Sequence, residues 1–244
     1  MDDPVSSWDR LSSWYQANAY LPTDVVHYGS DVPDEQELRL CGNVAGKRVL
    51  ELGCGAAQNC IAFAKQGAKA IGVDLSPAQL AYGRRLAEAE EVKVELHEGD
   101  LADLGFATSG SIDLVFSANA LNYVDDVSRV FRQVHRVLKA DAAFVFSVPH
   151  PVRLAIDPAL DPPLLLRRSL SDRSSLRRRW DDVELVEYPR SVSALFTALQ
   201  RANFRVDTIL EPEPTTGRNH SALWSDVNNT VPPVLVMRAR KLGV

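Results

Sequence analysis

Apolar positions follow two alternating rhythms between about residues 47 and 150. Short continuous apolar runs predict buried strands, and apolar residues recurring every three or four positions predict helices. Residues 47–52 form such a run, ending at Gly53, where the strand meets a turn. Ala57, Ile61 and Ala64 then share the face of a helix over about 57–66. Residues 68–74 predict a second strand, with the acidic Asp74 where it leaves the sheet. Ser76-Pro77 opens a helix to about Ala89, with Ser as N-cap and Pro at the first helical position. Residues 92–97, 112–117 and 142–148 predict the next three strands, the fourth apolar on both faces like a central parallel strand. Val127, Val130, Phe131, Val134, Val137 and Leu138 make the cleanest helical stripe in the chain. Repeated strand–helix–strand units of this length predict an α/β, Rossmann-like, doubly wound parallel sheet.

The rhythm breaks between 149 and 189. Prolines at 149, 151, 158, 162 and 163 oppose a long helix, and six arginines fall between Arg167 and Arg179. It then resumes, with a helix stripe at Val192, Leu195, Phe196 and Leu199 and strands at 204–210 and 234–239. The expected organisation is one domain over 1–244. It comprises an N-terminal cap segment (1–45), a cofactor-binding core (46–150), an insertion or lid (151–190), and the remainder of the sheet (191–244).

Composition narrows the classes open to this chain. Hydrophobic residues at 45% and charged residues at 24% are ordinary for a globular domain and exclude a fibre, a coiled coil or a disordered tail. The 27 basic against 32 acidic side chains give a net charge of −5, so no nucleic-acid partner is expected. Cys41, Cys54 and Cys60 are too few for a disulfide framework or a zinc cluster, and no bound metal is expected. No export signal is read at Met1-Asp2-Asp3-Pro4, and no apolar run approaches the roughly 18 residues of a membrane span. The expectation is a soluble cytoplasmic protein, monomer or homodimer, without a membrane partner.

Candidate chemistry concentrates in the loop Glu51-Leu52-Gly53-Cys54-Gly55-Ala56-Ala57-Gln58. Two glycines between a strand and a helix let the backbone turn tightly and approach a ligand closely. A dinucleotide loop would carry a third glycine where Gln58 stands.

With these residues the sequence resembles the class I S-adenosylmethionine-dependent methyltransferases, in particular their small-molecule branch. Glu51-Leu52-Gly53-Cys54-Gly55 is similar to that family's first motif and Gly72-Val73-Asp74-Leu75-Ser76 to its second. Glu98-Gly99-Asp100-Leu101 is similar to the third, and Phe116-Ser117-Ala118-Asn119-Ala120-Leu121 to the fourth. They fall in the family's order across roughly residues 40–150. Ala57 departs from the pattern, where many members carry a third glycine. The resemblance implies a seven-stranded sheet with its last strand antiparallel, S-adenosyl-L-methionine as cofactor, and S-adenosyl-L-homocysteine as product.

S-adenosylmethionine presents a ribose diol, an adenine amine, a zwitterionic tail and a sulfonium, with no phosphate, so its site wants carboxylate acceptors. On the resemblance, Asp74 accepts from both ribose hydroxyls, Leu75 packs on adenine, Asp100 accepts from the adenine amine, and the Leu101 amide donates to the ring. Glu51 stands near the methionine end, framed by Gly53, Cys54, Gly55, Gln58, Ser117 and Ala118. Charge-assisted hydrogen bonds of this kind are the strong ones. Taken singly, Asp74 also reads as a helix-capping acid and Asp100 as a turn acid.

Methyl transfer needs alignment and exclusion of water, and a base only where the acceptor must lose a proton. Ligands of open α/β sheets lie beyond the carboxyl ends of the strands, which places residues 119–123 and 149–152 beside the acceptor. His150 is the candidate base, or a histidine that shapes the loop. Tyr123 joins it as a catalytic candidate. Asn119 and Asn122 are substrate candidates, or turn and cap residues. The N-terminal aromatics, Trp8, Trp14, Tyr15, Tyr20, His27 and Tyr28, either close over the cofactor, with Tyr28 a further substrate candidate, or pack on the sheet edge. The arginine cluster reads as a lid for an anionic acceptor, a nucleic-acid patch, or a solvated insertion with local ion pairs. Two rivals stay open: a cofactor-binding partner subunit without catalysis, and a nicotinamide-dependent Rossmann enzyme.

Overall fold

The structure is a computed structural model that describes residues 4–215 and 219–243; Met1, Asp2 and Asp3, where no export signal was read, lie outside the described residues. Its centre is a seven-stranded sheet in the order β3-β2-β1-β4-β5-β9-β8. The strands are β1 (Arg48–Leu52), β2 (Lys69–Asp74), β3 (Glu95–Glu98), β4 (Ile112–Ala118), β5 (Leu138–Pro149), β8 (Phe204–Leu210) and β9 (Val234–Lys241). β1 to β5 run parallel, and β9 inserts antiparallel between β5 and β8. The expected sheet, with its last strand antiparallel, is the one observed.

Helices cover both faces, and side chains along each strand alternate between two cores. Leu50, Leu52, Ile71 and Phe144 pack beneath α5 (Val127–Val137) and α6 (Val192–Arg201), where Val130, Phe131, Val134, Leu195 and Leu199 are buried. Val49, Ala70, Phe116 and Val145 face Phe63 of α3 (Gln58–Lys65) and Leu80 of α4 (Pro77–Ala89). Each such valine, leucine, isoleucine or phenylalanine taken fully out of water contributes about 1.5–3 kcal/mol. Ser76 caps α4 as its sequence predicts, its hydroxyl accepting from the Gln79 N–H.

Three regions depart from the sequence expectation. β5 begins at Leu138, read as the last position of the helix stripe, and not at 142. The third strand starts at Glu95, because the Val92 N–H instead closes the end of α4 on the Ala87 carbonyl. The stretch read as an irregular insertion contains an antiparallel hairpin, β6 (Leu176–Trp180) and β7 (Val183–Glu187), turning at Asp181-Asp182. Its inward row is Val183, Leu185 and Glu187, and the first two pack on Leu11 of α1 (Pro4–Asn18). Arginines hide that alternation, since β6 reads Leu-Arg-Arg-Arg-Trp. The hairpin and α1 together roof the carboxyl ends of the parallel strands, joined at the rim by an Arg10–Asp182 ion pair.

Among the described residues no helix is long and apolar enough to cross a membrane, and no group of His, Cys, Asp or Glu has the arrangement of a metal site. The three cysteines are free thiols.

Candidate active site

The β1–α3 turn sets the geometry. Gly53 has φ +65°, and a Cβ there would stand 2.2 Å from the Ala120 Cβ, so only glycine fits this close approach. Gly55 follows with φ +50°, and its N–H donates to Asp74 Oδ2 at 2.8 Å. The other Asp74 oxygen accepts from the Ser76 N–H at 2.9 Å. The carboxylate is thereby held at the tip of β2 with acceptor capacity to spare. Burial raises its pKa above the ordinary aspartate value, while the main-chain donors pull it down.

Asp74, Leu75, Asp100 and Leu101 line one wall of a crevice of about 120 Å³, with Gly53, Gly55, Ala118 and Ala120 on the other. Asp100 Oδ1 accepts from the Ala102 N–H at 2.8 Å, which fixes its loop. A neighbouring compartment of about 50 Å³ is lined by Glu51, Cys54, Gln58, Asn59 and Asn119. Glu51 is buried; it accepts from Asn59 Nδ2, the Cys60 N–H and the Cys60 thiol, each at 3.0 Å. Burial outweighs these donors and pushes its pKa up to about 7.

α1 lies over both spaces, over the crevice through Trp8 and Tyr15 and over the smaller compartment through Tyr15 and Gln16. It is fastened by Asp9, whose carboxylate accepts from the Ser76 hydroxyl and the Ala78 N–H at the start of α4. Gln16 adds hydrogen bonds to Gln58 and Gln79. Of the two readings of the N-terminal aromatics, α1 covers the strand ends, while in the following segment His27 and Tyr28 are buried and Tyr20 is exposed.

A third space of about 140 Å³ adjoins the crevice, sharing Trp8, Tyr15, Asn119 and Tyr123 with it. Trp8 stands edge-on to both Tyr15 and Tyr123, at 5.6 and 5.0 Å between ring centres. Arg153, Arg178, Trp180 and Glu187 complete this chamber. Glu187 is 2% exposed, and burial raises its pKa above the ordinary glutamate value. Asn122 Nδ2 donates to its Oε1 at 3.4 Å, and Arg178 Nε lies 3.5 Å from its Oε2. Burial likewise raises the Tyr123 phenol, followed by the Glu187 charge. Buried polar atoms without a hydrogen-bond partner collect here: Asn119 Oδ1, Arg153 Nη1, Trp180 Nε1 and Glu187 Oε2.

The remaining sequence candidates fall outside these linings. Ser117 is buried and donates its hydroxyl to the Leu52 carbonyl at 2.9 Å, tying β4 to β1. Tyr28 lies in the core with its hydroxyl donated to Glu35 Oε2, and its carbonyl accepts from Ser147 Oγ at 2.6 Å. It therefore presents no group to a substrate. His150 is buried beyond the chamber wall; Nε2 is 3.0 Å from Glu211 Oε1, and Nδ1 accepts from the Val152 N–H at 3.3 Å. Both nitrogens are occupied in shaping the turn. Asn122 reaches the chamber only through Glu187.

Glu187 and Arg153 were not singled out by the sequence, and Arg178 only as a member of the arginine cluster. The signal for Glu187 is period two in Val183-Glu184-Leu185-Val186-Glu187, which puts an acid in the inward row behind two buried apolar residues.

The methyltransferase-domain family matches residues 50–146. A Geobacillus protein named as a methyltransferase is 30% identical over 47% of this chain and 47% of its own length. The Pseudomonas syringae ubiquinone biosynthesis O-methyltransferase is 34% identical over 57% of this chain and 56% of its own. The chain thus spans about half the length of these curated relatives. A solved S-adenosylmethionine-dependent methyltransferase from Mesorhizobium loti superposes with TM-score 0.63 at 28% identity, covering 84% of this chain and 95% of that one. A Listeria monocytogenes protein shares the fold with TM-score 0.71 at 24% identity, over 86% and 96% of the two chains.

Proposed function

We propose that this chain, which belongs to the class I S-adenosylmethionine-dependent methyltransferase family, transfers a methyl group to an N, O or C atom of a small organic acceptor. The carrying observation is Asp74, held by the Gly55 and Ser76 amides at the edge of a crevice that Gly53 keeps open.

The residues fit the cofactor. Asp74 has lone pairs left for a ribose diol, and Leu75 and Leu101 offer apolar contact to a flat base. Asp100, in the same wall, suits an exocyclic amine. Asn119 Oδ1, buried without a partner, suits an ammonium or amide donor at the other end. When bound, S-adenosylmethionine supplies a methyl group activated by its sulfonium leaving group.

The protein's part is then to orient the acceptor and exclude water. α1 and the β6–β7 hairpin roof the chamber, and Trp8, Tyr15, Tyr123 and Trp180 give it aromatic walls. Glu187 is the group we assign to hold or take a proton from the acceptor, since burial brings a carboxyl nearer neutral pH. Tyr123 positions the acceptor beside it, and His150 positions the turn that carries Arg153. The names of curated relatives, ubiquinone biosynthesis O-methyltransferases, favour a small-molecule acceptor. Three free thiols suit the cytoplasm.

Transfer of labelled methyl from S-adenosylmethionine into a metabolite extract, read by mass analysis, tests the proposal. A methylated small molecule and S-adenosylhomocysteine are expected; tight NAD binding, or no binding of S-adenosylhomocysteine, would overturn it.

A further inference from the structure

We infer that the methyl acceptor carries an anionic group, a carboxylate or a phosphate, held by Arg153 where the aromatic chamber adjoins an arginine-lined cavity. The word acceptor rests on the methyltransferase reading; the anion site does not.

The cavity holds about 840 Å³ and adjoins the chamber, sharing Arg153, Leu154, Arg178, Trp180 and Leu223 with it. Three spaces therefore follow in series: the cofactor crevice, the aromatic chamber and this vestibule. Arg153, Arg167, Arg168, Arg177, Arg178 and Arg179 line the vestibule, against Asp157, Asp172 and Asp181. Arg168 is paired with Asp172 at 3.0 Å and Arg177 with Glu184 at 2.8 Å. Arg167 donates to the Asp161 and Pro162 carbonyls and Arg179 to the Asp181 carbonyl, and these acceptors carry no net charge. The vestibule thus keeps a positive excess although the whole chain is acidic.

Arg153 stands at the junction. Its Nε donates to Asn228 Oδ1 at 3.3 Å, while Nη1 is buried with no hydrogen-bond partner among the described residues. Desolvation first, and then the charge of Arg178, lower its pKa to about 10, so it stays protonated at neutral pH. Of the carboxylates that act on Arg153, Asp157 and Glu187, the buried one, Glu187, is already approached by Arg178 at 3.5 Å. A desolvated cation lacking a full complement of acceptors is costly, and an anion with two or three acceptor oxygens relieves that cost. A guanidinium meets carboxylate and phosphate in paired geometry. The nearby Trp8, Tyr15, Tyr123 and Trp180 suit a flat apolar body between the anion and the reacting atom.

The test is calorimetry on the full chain saturated with S-adenosylhomocysteine, titrated with phenyl phosphate, phenylacetate, 2-phenylethanol and 2-phenylethylamine. At least one anion should bind about 10-fold or more tighter than the alcohol and the amine, the loss expected for a charge-assisted pair. The tighter anion tells phosphate from carboxylate. Arg153→Met should weaken it about 10-fold and the exposed Arg179→Gln a few-fold, and raised salt should weaken it in the wild type. Equal binding of the uncharged or cationic probe would overturn the proposal. So would no anion binding up to about 10 mM, or full anion affinity in both variants. Failure to bind S-adenosylhomocysteine would instead count against the methyltransferase reading, and the anion titrations would then be run without it.

Discussion

The Gly55 N–H donates to Asp74 Oδ2 at 2.8 Å, so the turn after β1 and the tip of β2 form one rigid unit. Asp74→Asn keeps the side-chain size but exchanges one acceptor oxygen for a donor and removes the charge. S-adenosylhomocysteine should bind this variant about 10–100-fold more weakly, the range of a lost charge-assisted hydrogen bond. Calorimetry checks this, and an unchanged dissociation constant would remove Asp74 from the site.

That unit was legible in the sequence because its parts are local. Gly53 and Gly55 follow an apolar run directly, and Asp74 precedes a Ser-Pro helix start. The chamber was not legible for the opposite reason. Glu187 meets Tyr123 and Arg153 only because α1 and the hairpin fold back over the strand ends, and pairings so distant in sequence leave no periodic trace. His150 and Tyr28 were singled out from position along the chain, which does not report side-chain direction. The structure turns both away from the linings, toward Glu211 and Glu35.

Gly53→Ala should cost the fold and the site together. A Cβ at φ +65° is strained, and it would fall 2.2 Å from the Ala120 Cβ. A loss of about 1–3 kcal/mol is expected, read by urea unfolding, together with weakened S-adenosylhomocysteine binding. Adding Ala120→Gly should recover the part due to the clash but not the part due to φ. If the double variant is no more stable than Gly53→Ala, the clash is not the cause.

Glu51 and His27 act in opposite directions on stability. Glu51 binds its proton more tightly when folded, with a pKa raised to about 7, so its contribution is full at low pH and lost as pH rises toward 7. Burial lowers His27 to about 4, so its contribution is full above the free-histidine range and lost as pH falls toward 4. Asn59 bridges them, donating to Glu51 Oε1 and the His27 carbonyl. Glu51→Gln removes the Glu51 slope and leaves that of His27 unopposed by it, so stability should rise with pH from about 4 to 6.5 by up to about 3 kcal/mol relative to wild type. Urea midpoints across that range check the sign; parallel profiles for the two proteins would show that Glu51 does not titrate there.

Glu187→Gln separates proton transfer from packing. The amide fills the same buried space beside Asn122 and Arg178, so the hairpin should stay docked on Leu11. S-adenosylhomocysteine should bind as before, because Glu187 lines the chamber and not the cofactor crevice. If Glu187 takes the acceptor's proton, kcat should fall about 100-fold or more. The rise of rate with pH through the Glu187 pKa should also flatten, since the amide has no proton to lose. A residue that merely supports the wall would change KM and leave the shape of the pH profile intact. Glu187→Asp offers the converse check: it keeps the titrating group but withdraws it from the chamber, so the pH limb should persist at reduced kcat. An intact pH limb in Glu187→Gln would move the base elsewhere, and not to Tyr123, whose phenol, raised above the ordinary range by burial and by the Glu187 charge, stays protonated at neutral pH and has no free base form to take a proton.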